Sequence, residues 1–145
     1  IDNQDLLENA PQDQTESIQG LHILLVEDND LNMEILRFIL EKHGAIVTGA
    51  WNGKEALEQI QNTEPGTFDI VFMDIRMPVM NGIEAVQEIR NMNRKDAKTL
   101  PVIAMSANAF SDDIERSLKA GMNAHVSKPL DAQMMIRAVN DNRLR

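Results

Sequence analysis

The run Ile70-Val71-Phe72-Met73 is apolar at every position and ends on a carboxylate, Asp74. A half-exposed strand would alternate apolar and polar residues. An unbroken apolar run bounded by turn residues predicts a strand covered on both faces, as in the middle of a parallel sheet. Pro78, Asn81 and Gly82 then break the chain before the next helical pattern begins. In open parallel sheets, chemistry collects just beyond the carboxyl ends of the strands. Asp74 stands at that position and is the first candidate for a reactive group.

The same arrangement recurs along the chain. Ile23-Leu24-Leu25-Val26 ends at Glu27-Asp28, residues 45–50 form a second short run, Leu100 to Met105 ends at Ser106, and Ala124 to Ser127 ends at Lys128-Pro129. Helical spacing fills the gaps. Leu31, Ile35 and Ile39, flanked by Leu36 and Leu40, predict a core-facing stripe that stops at Gly44. Ala56, Leu57 and Ile60 mark a helix over residues 53–62, and Ile83, Val86 and Ile89 mark a third. Two more helices are predicted, from about residue 111 to a stop at Gly121 and from about residue 131 to residue 140. Strand and helix alternate five times, which predicts an α/β fold: a flavodoxin-like, doubly wound, five-stranded parallel sheet in the order 2-1-3-4-5 with helices on both faces.

Residues 1–20 differ from the rest. They carry Asp2, Asp5, Glu8, Asp13 and Glu16 without a Lys or Arg, and they read as an acidic polar linker ahead of a domain at residues 21–145. The net charge of -9 argues against direct binding of nucleic acid, whose phosphates need a basic face. Cysteine is absent, so disulfides and thiolate metal sites are excluded. No apolar run approaches the roughly 20 residues of a membrane span, so no membrane contact by the domain is expected, and a cytoplasmic location is. The chain opens on Ile1 rather than Met and reads as a piece of a longer protein.

In the order 2-1-3-4-5, strands one and three are neighbours, so Glu27, Asp28 and Asp74 converge in one crevice. Carboxylates that close are tolerable only with protonation or a cation. A set of hard oxygens without His or Cys points to magnesium, which keeps waters and shares its sphere with phosphate. With Lys128 arriving from the fifth strand, the group predicts a phosphoryl site. Asp74 is the nucleophile, Lys128 neutralises phosphate oxygens, and Ser106 donates a hydrogen bond. His22, His43 and His125 are scattered and form no metal set. The Asp28-Asn29-Asp30-Leu31-Asn32 segment opens like a calcium loop, but Met33 and Ile39 stand where that loop needs Gly and Glu. A phosphohydrolase would typically carry a second Asp two residues after the nucleophile, and Arg76 occupies that place.

Four segments together carry a resemblance: Ile23-Leu24-Leu25-Val26-Glu27-Asp28-Asn29, the stretch from Met73 to Gly82, Ala104-Met105-Ser106-Ala107, and Ser127-Lys128-Pro129. From about His22 to Asn142 the chain resembles a response-regulator receiver domain of two-component phosphorelays. The resemblance implies that Asp74 accepts a phosphoryl group from a phosphohistidine on a histidine kinase or histidine phosphotransfer domain, with Mg2+ as cofactor. It further implies that Asp28 ligates the metal directly, Glu27 largely through water, and Arg76 through its backbone carbonyl. Ser106 is then the switch hydroxyl and Lys128 the phosphate-contacting lysine, with a cis bond before Pro129. The domain would catalyse its own phosphorylation and dephosphorylation. The family usually carries Tyr or Phe three residues before the lysine, a switch position that is His125 here. Arg76 and Asn108 lie two residues beyond Asp74 and Ser106, positions that in the resembled family tune how fast water reaches the phosphoryl group.

The resemblance extends to receivers of hybrid sensor histidine kinases, through Ser106-Ala107-Asn108-Ala109-Phe110 and Gly121-Met122-Asn123-Ala124. It implies a switching face, and a surface for homodimers, made of the fourth helix, fifth strand and fifth helix. Kinase activity would reside elsewhere in a parent chain, and a membrane-bound sensor kinase would carry this domain on its cytoplasmic side. The alternatives are the receiver of a regulator with its output domain removed, and a receiver-like scaffold that is never phosphorylated.

Overall fold

The computed structural model describes residues 16–107 and 112–144. In chain order the elements are β1 (His22–Val26), α1 (Asp30–Lys42), β2 (Ile46–Ala50), α2 (Gly53–Gln61), β3 (Ile70–Asp74), α3 (Gly82–Asn91), β4 (Val102–Ser106), α4 (Asp112–Ala120), β5 (Ala124–Ser127) and α5 (Ala132–Asn142). The strands form one sheet in the order β2-β1-β3-β4-β5, and every pairing is parallel. The expected flavodoxin-like order is the one observed.

Burial explains the unbroken apolar runs. Every residue of β3 and β4 is buried, and successive side chains enter opposite layers because the pleat has a period of two. Leu24, Val26, Val71, Met73, Val102 and Ala104 pack with Ala56, Ile60, Ala85, Val86 and Ile89 of α2 and α3. Ile23, Leu25, Ile70, Phe72, Ile103 and Met105 pack with Met33, Leu36, Leu40, Met135 and Val139 of α1 and α5. Helix α4 lies beside α3 and against β5.

The expected stripe on α1 is corrected. The residues that enter the core are Met33, Leu36 and Leu40, with Ile39 packed at their edge. Leu31 and Ile35 are 62% and 46% exposed, and Phe38 is 65% exposed. Leu31, Met33, Ile35, Leu36, Phe38, Ile39 and Leu40 surround the helix too widely for periodicity to select one face. Contact with the strands selects it. Met33 reaches over Gly49, where a Cβ would stand 3.3 Å from its thioether sulfur.

Four helices start with a side-chain cap at the carboxyl edge of the sheet. Asn29, Asn52, Asn81 and Asp131 accept from the backbone N–H of Asn32, Glu55, Glu84 and Met134, each at 2.9 Å. Such caps satisfy donors that a helix start leaves open. They also fix how soon each helix begins after its strand, and so the width of the crevice between them.

Upstream of residue 21, Ile18 is buried in the α1–α5 core layer. Asn140 donates to the Glu16 carbonyl at 2.7 Å and Arg143 to the Ser17 carbonyl at 3.2 Å. Packing therefore reaches into the end of the segment read as a linker. Residues 1–15 of that segment, the Asn108, Ala109 and Phe110 positions, and Ser111 lie outside the described residues. Among the described residues no helix is long and apolar enough to cross a membrane.

Candidate functional site

Parallel register brings the strand ends level. Val26 pairs with Met73, Asp74 with Met105, and Ser106 with Ser127. The residues following β1 and β5 and those ending β3 and β4 therefore share one edge of the sheet. Glu27 is fully buried there, and its N–H donates to the Ala50 carbonyl at 3.0 Å. Asp74 is buried and Asp28 is exposed. One oxygen from each of Glu27, Asp28 and Asp74 lies within 4.8 Å of the others. The three acids expected to converge do so.

Lys128 closes the cluster. Its Nζ donates to both carboxylate oxygens of Glu27 and to Oδ2 of Asp74, all at 3.0 Å. The backbone places it there: its N–H donates to the Ser106 carbonyl at 2.8 Å, and the following bond to Pro129 is cis. Burial pulls the ammonium toward the neutral form, but Asp74 and Glu27 outweigh it and hold its pKa above the ordinary value. The opposite balance holds at Glu27. Burial and the neighbouring Asp74 outweigh Lys128 and Asn32, and push its pKa up to about 7.

That shift has a stability consequence. Between Glu27's ordinary pKa of 4.5 and about 7, the folded protein keeps a proton that the unfolded chain has released. The Glu27 contribution to stability therefore falls as pH rises through this window, by about 1–3 kcal/mol, and outweighs the smaller, opposite contribution of His125, whose lowered pKa favours folding as pH rises. A divalent cation favours the charged carboxylate and will shrink the fall. Urea unfolding on either side of the window, with a chelator and then with excess divalent cation, reads the effect. A stability that climbs through the window without cation contradicts it.

The remaining expected residues occupy the same edge with distinct partners. Arg76 donates its backbone N–H to Asp74 Oδ1 at 3.2 Å, while its side chain leaves the cluster and meets Asp113 Oδ2 at 2.5 Å. Ser106 is buried at the end of β4, with Oγ 2.8 Å from Nε2 of His125. Burial lowers the His125 pKa, which favours the neutral ring. Sequence reasoning missed two participants. Asn32 donates to Glu27 Oε1 at 2.8 Å; it sits in the segment considered and set aside as a calcium loop. Asp113 is nearly buried between two arginines, and no sequence signal marks it.

Chemically, an oxygen-only donor set with one acid open to solvent suits a hard divalent cation that retains water. The Glu27, Asp28 and Asp74 oxygens could hold such an ion. Beside them, an ammonium contacting the buried carboxylate is suited to receive negative charge developing on a transferred group.

Comparison with known proteins agrees with this reading. Residues 23–140 match the family model of the response regulator receiver domain. A probable histidine kinase of Oryza sativa subsp. japonica is 36% identical over 149 residues, covering 92% of this chain and 15% of that protein. Two-component system protein A of Emericella nidulans is 36% identical over 119 residues, covering 81% of this chain and 17% of that protein. The chain thus spans under a fifth of the length of these relatives. Among solved structures, the receiver domain of a sensor histidine kinase from Pseudomonas aeruginosa, with magnesium in its active-site cleft, has a TM-score of 0.76 at 34% identity, covering 85% of this chain and 97% of that one. The receiver domain of a Saccharomyces cerevisiae response regulator, crystallised with a histidine phosphotransfer protein, has a TM-score of 0.78 at 27% identity, covering 88% and 92%.

Proposed function

The chain belongs to the response regulator receiver family, and we propose that its Asp74 carboxylate takes the phosphoryl group from a phosphohistidine. The observation that carries the assignment is the meeting of Asp74 with Lys128 at 3.0 Å inside the Glu27–Asp28–Asp74 cluster. An Asp74 oxygen attacks phosphorus in line, the P–N bond breaks, and the electron pair returns to the donor imidazole. No general base is needed, because the nucleophile is an ionised carboxylate.

Glu27, Asp28, Asp74 and the Arg76 carbonyl are the groups that would hold Mg2+, which when bound offsets charge on the phosphoryl oxygens. Lys128 supplies a second cation, and its three protons allow it to turn from Glu27 toward a phosphoryl oxygen without leaving Asp74. Glu27 must give up its proton for the metal, so magnesium affinity and pH are linked. Ser106 is the switch hydroxyl. Its one proton can go to a phosphoryl oxygen while Oγ accepts from His125 if Nε2 carries the ring proton, and must leave His125 if Nε2 does not. The neutral imidazole stands in the place of the family's usual aromatic ring.

The parent chain is read as a hybrid sensor histidine kinase, which the kinase relatives support. A receiver from a regulator with a separate output domain is the second placement. The donor's docking surface is read as the exposed α1 stripe. Leu31 lies in the first turn of α1, three residues after Asp28, and Leu31, Ile35 and Phe38 share one solvent face. Phe38→Ser will slow transfer from any phosphohistidine domain that labels the wild-type chain, by roughly tenfold. It will leave labelling by acetyl phosphate unchanged. Equal loss with both donors would remove this surface from the docking site.

The test of the function itself is incubation with acetyl phosphate. One phosphoryl group per chain is expected, dependent on magnesium and removed by hydroxylamine, which cleaves acyl phosphates. No uptake under any magnesium concentration would return the chain to the class of unphosphorylated scaffolds.

A further inference from the structure

Helix α4 is attached differently from the others. Each of α1, α2, α3 and α5 buries at least two apolar side chains. The fully buried residues of α4 are Asp113 and Ser117, both polar. Ile114 is only partly buried, and Leu118 is 45% exposed. Ser117 Oγ donates to the Ile114 carbonyl within α4, so among the described residues the polar side-chain contact that joins α4 to the rest of the fold is made by Asp113, and it reaches the functional site. Asp113, with a side chain 5% exposed, accepts from Arg76 at Oδ2 and from Arg116 at Oδ1. Arg116 lies on α4 itself. Arg76 lies on the loop that follows β3, two residues after Asp74, and its N–H already holds the Asp74 carboxylate.

We propose that the Arg76–Asp113 ion pair latches α4 to the phosphoacceptor loop, and that a phosphoryl group on Asp74 opens the latch by competing for Arg76. Arg76 is thus a positioning residue for α4. The part concerning phosphorylation rests on the function assigned above to Asp74; the latch does not. The Arg76 guanidinium is 75% exposed, so its partner is not fixed by packing and the arm is free to turn. It borders an open cleft of about 330 Å³ between the loop and α4, shared with Asn81, Glu84 and Arg116. A phosphoryl dianion two residues away is a stronger attractor than a carboxylate already shared with a second arginine. Once Arg76 leaves, the partner Asp113 keeps among the described residues is Arg116, which belongs to its own helix and does not tie α4 to the loop.

Hydrogen exchange along α4 tests this, because local opening is read directly by amide protection. In untreated protein, Asp113→Asn will raise α4 exchange about tenfold, and Arg76→Ala will do the same. The double variant will add nothing further. Arg116→Ala removes the other partner but not the tether, and will raise exchange by no more than about twofold. In wild-type protein, acetyl phosphate with magnesium will raise α4 exchange to the level of untreated Asp113→Asn. In Asp113→Asn, which retains the phosphorylation cluster, the same treatment will add a label with no further rise. Unchanged α4 exchange in Asp113→Asn, or additive effects in the double variant, overturns the latch. A labelled wild-type chain with unchanged α4 exchange overturns its opening by phosphate. Should the wild-type chain take no label, the reading of Asp74 falls, and the untreated variants still decide the latch.

Discussion

Asp74→Asn will take up no phosphoryl group from acetyl phosphate, a loss of at least about a thousandfold set by the reactivity of the side chain. Asparagine keeps the shape of the carboxylate and its carbonyl can still accept from Lys128, so the variant is expected to fold. An amide oxygen does not attack phosphorus usefully, and among the described residues no second acid is placed to replace it. Glu27 is fully buried and occupied by Lys128 and Asn32, and Asp28 is exposed without a lysine contact among the described residues. The substitution also removes the neighbouring charge that helps to raise the pKa of Glu27. The metal-free variant is therefore expected to be at least as stable as wild type at neutral pH. Magnesium affinity will fall, since one of three carboxylates is lost. Intact-mass measurement after phosphodonor treatment reads the first effect, and thermal unfolding with and without magnesium reads the others. A hydroxylamine-sensitive label persisting in Asp74→Asn would sink the assignment.

The sheet was legible because its strands are buried on both faces. Ile70 to Met73 and Leu24 to Val26 are apolar without interruption, and each ends at a chemically distinctive residue. Once the order of strands is known, the meeting of Glu27, Asp28, Asp74 and Lys128 follows from parallel register alone. The inner face of α1 was not legible. Its seven apolar positions wrap the helix, and the choice of Met33, Leu36 and Leu40 depends on β1 and on the space above Gly49. The hydrogen bond between Ser106 and His125 joins adjacent strands, β4 and β5. The resemblance named both residues as switch positions, but their contact is a matter of rotamers. Asp113 was invisible for a different reason. Its partners are one residue a helical turn away and one across a long sequence separation, and an acid in the first turn of a helix ordinarily signals only a favourable dipole.

Gly82→Ala is the structural change expected to reach furthest into the site. Gly82 opens α3 and its N–H donates to the Ile75 carbonyl at 2.9 Å, so the helix start is pressed against the end of β3. A Cβ there would stand 2.3 Å from the Asp74 carbonyl oxygen and 3.0 Å from Cγ of Met73. The first obstacle is backbone, which cannot rotate aside. Either the end of β3 tilts, or α3 withdraws and pulls on the Ile75 carbonyl that the Gly82 N–H holds; both are expected to draw the Asp74 carboxylate away from Lys128 and the Arg76 N–H. Overpacking of this kind costs about 3 kcal/mol, the upper part of the usual range, because the contact is with main chain. Gly66 supplies the control. Its φ of +89° disfavours a side chain, but nothing lies within 4 Å of its would-be Cβ, so Gly66→Ala costs about 1 kcal/mol through the backbone alone. Urea unfolding will rank the two variants in that order. Labelling by acetyl phosphate will slow at least tenfold in Gly82→Ala and stay at the wild-type rate in Gly66→Ala, since only the first moves the phosphoacceptor. Wild-type stability and labelling in Gly82→Ala would mean that α3 can shift without carrying β3 with it, and that the close seating of the helix does not position Asp74.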